Sequence, residues 1–85
     1  MSGALAFDEF VRHVSEGLDV EPDEMVRDAR LVEDLGLDSF DLVELLTLVE
    51  ELGVRFPESV AVCIETVGDL YREYEEKAAR APRSG

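Results

Sequence analysis

Tryptophan is absent from this sequence, and cysteine and histidine occur once each. One cysteine excludes a disulfide framework. Cys63 and His13 together are too few for a structural zinc site. A Ser-His-Asp triad would have to use His13, and nothing in the sequence positions it; it reads as a surface residue. There is no GxSxG elbow, no P-loop, no dinucleotide fingerprint and no HExxH pair. No apolar run approaches membrane-spanning length, and no basic segment followed by an apolar core opens the chain, so the cytoplasm is the expected location. Positive charge is scarce: 8 basic residues face 21 acidic ones, a net charge of −13 over 85 residues. Nucleic acids and anionic membranes call for the opposite balance. Basic patches on other proteins are the better match for such a surface, ahead of solubility alone. The length fits one small domain without a large internal active-site cavity.

Apolar residues make up 46% of the chain, enough for a compact core. There is no internal repeat. Phe7, Phe10, Val11, Val14 and Leu18 recur at the spacing of one helical stripe, with Asp8, Glu9, Arg12, His13 and Glu16 off it. A long polar stretch, about Asp19 to Asp38, follows. Val20, Met25, Val26, Leu31, Val32, Leu35 and Leu37 are scattered through it and predict a connection that packs across the core. A second helix is expected from Asp38 to about Leu52. Asp38 suits the N-cap, and Asp41 suits the first turn. Leu42, Leu45, Leu46, Leu48, Val49 and Leu52 share a broad face opposite Glu44, Thr47, Glu50 and Glu51. Gly53 fits a left-handed C-terminal cap.

Pro57 opens a short segment, Glu58 to Cys63, expected as one or two helical turns because no second strand lies nearby to pair with it. Cys63, inside the apolar run Val60–Ile64, is expected to be buried and inert. Thr66-Val67-Gly68-Asp69 resembles a capping box with Asp in the place of Glu. It starts a last helix whose stripe is Val67, Leu70, Tyr71, Tyr74 and Ala78. The ordered core is expected over about 5–78, with frayed ends at 1–3 and 79–85. The fold class is therefore all-α: three long helices, one short helix and a long first loop.

Paired carboxylates mean little in so acidic a chain. Asp34 to Asp41 has a loosely calcium-loop-like spacing, but it lacks the alternating ligands and terminal Glu of an EF-hand, and no metal site is expected. Ser39 follows the N-cap directly and is expected to be exposed. The free amides and positive dipole end of a helix suit a phosphate there. By geometry alone, an ordinary helix-start serine and a phosphoester attachment point both stay open.

Leu35-Gly36-Leu37-Asp38-Ser39-Phe40-Asp41 resembles the attachment motif of acyl carrier proteins, D-S-L after an L-G-x stretch. Val32-Glu33-Asp34 before it, Leu42-Val43-Glu44-Leu45 and Glu50-Glu51 after it, then Phe56-Pro57 and Thr66-Val67-Gly68-Asp69-Leu70, occur at spacings similar to the family's. The resemblance runs from about Leu5 to Glu76. It implies a four-helix carrier bundle in a single domain over 1–85, and a 4'-phosphopantetheine ester on Ser39. A separate phosphopantetheinyl transferase would install it from coenzyme A with magnesium. It implies a non-catalytic carrier that delivers thioester cargo to ketosynthase, acyltransferase or ligase-type partners with basic docking patches. Asp38 (also the motif residue and helix cap), Asp41, Glu44, Glu50 and Glu51 would meet Arg or Lys, with Phe40, Val43 and Thr47 packing beside them. A monomer is expected, and the start at Met1 with short tails reads as a discrete protein. Phe40 replaces the commoner Leu of the motif. Val60 to Cys63 is apolar where many fatty-acid carriers are acidic, which favours polyketide or other specialised assembly over fatty-acid synthesis. A peptidyl or aminoacyl carrier is the nearest alternative; from another class comes an unmodified acidic adaptor.

Overall fold

The computed structural model describes residues 4–80, apart from the side chains of Glu58, Ala61 and Arg80. Of the ends expected to fray, 1–3 and 79–85, residues 1–3 and 81–85 lie outside the described residues, whereas 79 and 80 continue the last helix, contrary to the expectation. Regular structure among the described residues is helical. Three long helices, α1 (Phe7–Leu18), α2 (Ser39–Glu50) and α4 (Val67–Arg80), are joined by a 3₁₀ turn at Pro22–Glu24 and a single helical turn, α3 (Glu58–Ala61). An isolated bridge pairs Arg30 with Thr66.

The stripe of α1 goes inward as its spacing predicts: Phe10, Val11 and Val14 are buried, and Phe7 and Leu18 pack at the margin. Ala6 has no side-chain acceptor, so the N-terminal cap is only the Ala6 N–H donating to Glu9 Oε1 at 3.4 Å. At the other end Asp19 takes φ 61°, a left-handed position that Asp tolerates better than most residues, and its N–H returns to the Ser15 carbonyl. Val67, Leu70, Tyr71 and Tyr74 of α4 are buried, and the two tyrosines meet the aromatic rings of α1. Phe10 stacks on Tyr74 with centroids 4.8 Å apart and meets Tyr71 edge-on at 5.3 Å. The Arg27 guanidinium caps this cluster 4.3 Å above the Phe7 ring. The predicted cap of α4 is present: Asp69 N–H donates to Thr66 Oγ1 at 3.1 Å, and Thr66 N–H donates to Asp69 Oδ2 at 3.3 Å.

Two side chains depart from the expectations. His13 is half-buried, with Nε2 2.9 Å from the Leu48 carbonyl oxygen and 3.4 Å from Glu51 Oε1. The cause is Gly17, one turn further along the same face. A Cβ there would overlap the Leu48 side chain, so α1 and α2 come close and the imidazole fills the remaining gap. Cys63 is exposed. The turn that ends α3 points Val62 and Cys63 outward and leaves Val60 and Ile64 to pack partly inward.

The connection between α1 and α2 packs across the bundle. Met25, Ala29, Leu31 and Leu37 are buried, whereas Val26 and Val32 stay exposed. Three backbone hydrogen bonds join it to the start of α4: Leu31 N–H to Glu65 O (2.9 Å), Val67 N–H to Ala29 O (3.0 Å) and Gly68 N–H to Arg27 O (2.9 Å). Helix α2 stops at Glu50, two residues before the expected end. Leu52 N–H donates to Val49 O and Gly53 N–H to Glu50 O, which tightens the last turn, and Gly53 at φ 91° then reverses the chain.

The segment before α1 is held by two tyrosines. Tyr71 Oη donates to Leu5 O, and Leu5 N–H donates to Tyr74 Oη, both at 2.7 Å. Burial, with a smaller contribution from Glu75, raises the Tyr71 pKa above its ordinary 10.0. The folded chain therefore holds the phenolic proton more tightly than the unfolded chain. The Tyr71 contribution is complete below pH 10.0 and is lost as pH climbs through the raised folded value. Urea midpoints of the wild type should fall as pH rises above about 10, and Tyr71→Phe should lose part of that slope while costing about 1 kcal/mol at neutral pH.

Candidate functional site

The chain enters α2 through a tightly wound loop. The Arg30 carbonyl accepts from the N–H groups of Asp34 and Leu35, and the Arg30 N–H donates to Asp34 Oδ2 at 2.8 Å. Gly36 N–H donates to Val32 O and Leu37 N–H to Leu31 O. Gly36 sits at φ 71°, where a side chain would be strained. Leu31 and Leu37 are buried, which pins both ends of this loop to the core two residues before Ser39.

Asp38 caps α2 reciprocally with Asp41. Asp41 N–H donates to Asp38 Oδ1 at 2.9 Å, and Asp38 N–H donates to Asp41 Oδ2 at 3.2 Å. The cap engages the amides of Asp38 and Asp41 and leaves those of Ser39 and Phe40, the first two helical positions, outside it. Ser39 is exposed. At about 100° per residue it shares one stripe with Leu42, Val43 and Leu46, at i+3, i+4 and i+7. Leu42 and Leu46 line a groove of about 470 Å³. The floor of the groove includes Leu45 and Leu70, and its far lip is Val62 and Ile64. Sequence reasoning missed this groove. Its two sides lie some twenty residues apart, and only the packing of the turn after α3 against α2 brings them together.

The outer face of α2 mixes apolar and acidic side chains. Phe40 is 73% exposed and Val43 63% exposed. Thr47 and Glu50 are exposed, and Thr47 Oγ1 donates to the Val43 carbonyl at 3.1 Å. The acids expected on this face are not equivalent. Asp38 and Asp41 are spent on the cap, Glu51 lies beyond the helix beside His13, and Glu44 is half-buried. Among the described residues no group of three or more His, Cys, Asp or Glu side chains is placed to hold a metal ion, and no helix is long and apolar enough to cross a membrane.

Residues 8–73 match the family model described as phosphopantetheine attachment site. The chain is 44% identical over 70 residues to an acyl carrier protein of Sulfurovum sp. (strain NBC37-1), covering 81% of this chain and 93% of that one. To an acyl carrier protein of Wolinella succinogenes it is 43% identical over 70 residues, covering 81% and 92%. To one of Borreliella burgdorferi it is 50% identical over 58 residues, covering 67% and 72%.

Replacing the cap tests how firmly the start of α2 is built. Asp38→Ala should cost about 1 kcal/mol in urea unfolding, and Asp38→Asn should recover most of it, because either side chain can accept from the Asp41 amide.

Proposed function

The chain belongs to the acyl carrier protein family, and on that premise we propose that it carries acyl intermediates on a 4'-phosphopantetheine arm attached at Ser39. The family carries that group covalently. The arm supplies a terminal thiol that holds the cargo as a thioester. The observation that carries the reading is the exposed Ser39 hydroxyl on the first residue of α2, on one stripe with the groove-lining Leu42 and Leu46.

The donor chemistry of this site fits the group. A primary hydroxyl stands clear of the protein, two amides outside the capping box lie beside it, and the positive end of the α2 dipole favours the phosphodiester charge. Asp38 fixes the helix start that holds the serine in place. The protein acts as a non-catalytic carrier subunit built as a four-helix bundle with a long first loop. A phosphopantetheinyl transferase loads it in the cytoplasm, and ketosynthase, acyltransferase or ligase-type enzymes then use it as a monomer. Phe40, Val43 and Thr47 supply packing contacts to these partners. Glu44 and Glu50 supply the attraction to their basic patches, with Asp41 and Glu51 at the edges of the same face. The run from Val60 to Cys63, with Val62 81% exposed, favours polyketide or other secondary-metabolite assembly over fatty-acid synthesis.

Intact mass decides the attachment. Incubated with coenzyme A, magnesium and a broad-specificity transferase, the wild type should gain one phosphopantetheinyl unit and Ser39→Ala none. If neither gains mass with several transferases, the acidic-adaptor reading replaces this one. Glu44→Lys combined with Glu50→Lys should slow loading by about tenfold at low salt, and the difference should shrink at about 0.5 M salt, where surface charge is screened.

A further inference from the structure

The last turn of α2 leaves the Leu48 carbonyl without a main-chain donor among the described residues. In a continuing α-helix the Leu52 N–H would donate to it. Here Leu52 N–H donates to Val49 O and Gly53 N–H to Glu50 O, both at 2.9 Å. The donor on Leu48 O comes from α1 instead. His13 Nε2 lies 2.9 Å from that oxygen, and the same nitrogen is 3.4 Å from Glu51 Oε1. A carbonyl oxygen only accepts, so Nε2 carries the hydrogen. Both His13 and Leu48 are half-buried, where an acceptor left without a donor is costly.

We infer that His13 is a positioning residue for the groove beside Ser39: by occupying the Leu48 carbonyl it selects the tightened ending of α2 over one that winds on through Leu52. The two endings compete closely, because each gives the Leu52 N–H one acceptor, three or four positions back. The wound ending would satisfy Leu48 O from within α2, whereas the tightened one leaves it to the imidazole. Winding one more residue would shorten the link to Pro57 by about 2 Å, since a residue advances about 1.5 Å in a helix and about 3.4 Å when extended. Val54 and Phe56 are buried in that link, which leaves it little slack. The displacement would pass to the turn that follows, where Ile64 forms the groove lip across from Leu42 and Leu46. The imidazole thus acts on the groove through Leu48 without touching it. Its bearing on carriage rests on the carrier reading, whereas the choice of helix ending does not.

Nuclear magnetic resonance on the full isotope-labelled chain, before loading, tests this. The wild type should show a His13 Nε2–H proton that exchanges slowly with water and lies close to Leu48. In His13→Leu, the Leu52 N–H should change its hydrogen-bond coupling from the Val49 carbonyl to the Leu48 carbonyl. The Cα shifts of Glu51 and Leu52 should move to helical values, and the amide signals of Val54 and Ile64 should move with them. Asp38 and Asp41, held by their own cap, should keep theirs. His13→Gln should restore the wild-type pattern, because its amide can donate to the same carbonyl, whereas Leu fills the gap without a donor. Loss of stability alone lowers the urea midpoint and leaves the signals of the folded chain in place. A wild-type imidazole without the protected Nε2–H overturns the inference, and this measurement stands even if a variant does not fold. So does a His13→Leu chain whose Leu52 N–H stays on Val49, or a His13→Gln chain that behaves like His13→Leu. Ser39 loading is scored separately by intact mass. A chain that shows the His13 pattern and does not load defeats the carrier reading, whereas one that loads and lacks the pattern defeats only this inference.

Discussion

The position of Ser39 depends on the three backbone hydrogen bonds that join residues 27–31 to residues 65–68. A connection of this length has many conformations, and ordering it costs entropy at every residue. The bonds satisfy main-chain groups that the burial of Ala29, Leu31 and Val67 removes from water. They also allow Leu31 to enter the core, and through Leu37 N–H to Leu31 O they set where the chain turns into α2. Gly68 is part of the same join. A Cβ at that residue would stand 3.0 Å from the Arg27 carbonyl oxygen, closer than a side-chain carbon normally approaches backbone. The serine is thus held by a chain of contacts that starts at the first turn of α4.

Much of this was legible in the residues. The stripe of α1 and the Thr66–Asp69 cap involve neighbours three or four positions apart, where local geometry decides the outcome. The same holds for Asp38 and Asp41. The buried leucines of the connection were legible as apolar residues in a polar stretch, but their sorting was not: Leu31 is buried and Val32 exposed, and only the join to α4 separates them. His13 was misread because its partners lie 35 and 38 positions away and the gap it fills is made by a missing side chain at Gly17. Cys63 was misread because an apolar run in a single turn cannot send every side chain inward. The motif around Ser39 was visible, whereas the groove beside it was not.

The acidic character of the chain divides into different physical jobs. Asp38, Asp41 and Asp69 satisfy amides at the starts of helices, where the dipole also favours negative charge. Asp34 binds the Arg30 amide, and Glu33 holds the Arg30 side chain. Glu51 lies beside His13 at the contact of α1 with α2. A carboxylate used in this way is a poor contributor to docking, because moving it would expose backbone donors or undo a packing contact. Net charge therefore overstates the part of the surface that can respond to a partner.

In and just after the short turn at α3, Ser59, Val62 and Cys63 are exposed, so the fold places little demand on the identity of these three residues. Most proteins stand only slightly above the stability they require, and a new specificity usually consumes part of that margin. Here substitutions at Ser59, Val62 or Cys63 draw almost nothing from it. The fold can thus drift between alternative surfaces through a series of fully folded variants, while the caps and backbone joins that hold Ser39 stay constant. The exposed surface of this turn and the architecture that holds Ser39 are therefore separately mutable in this chain.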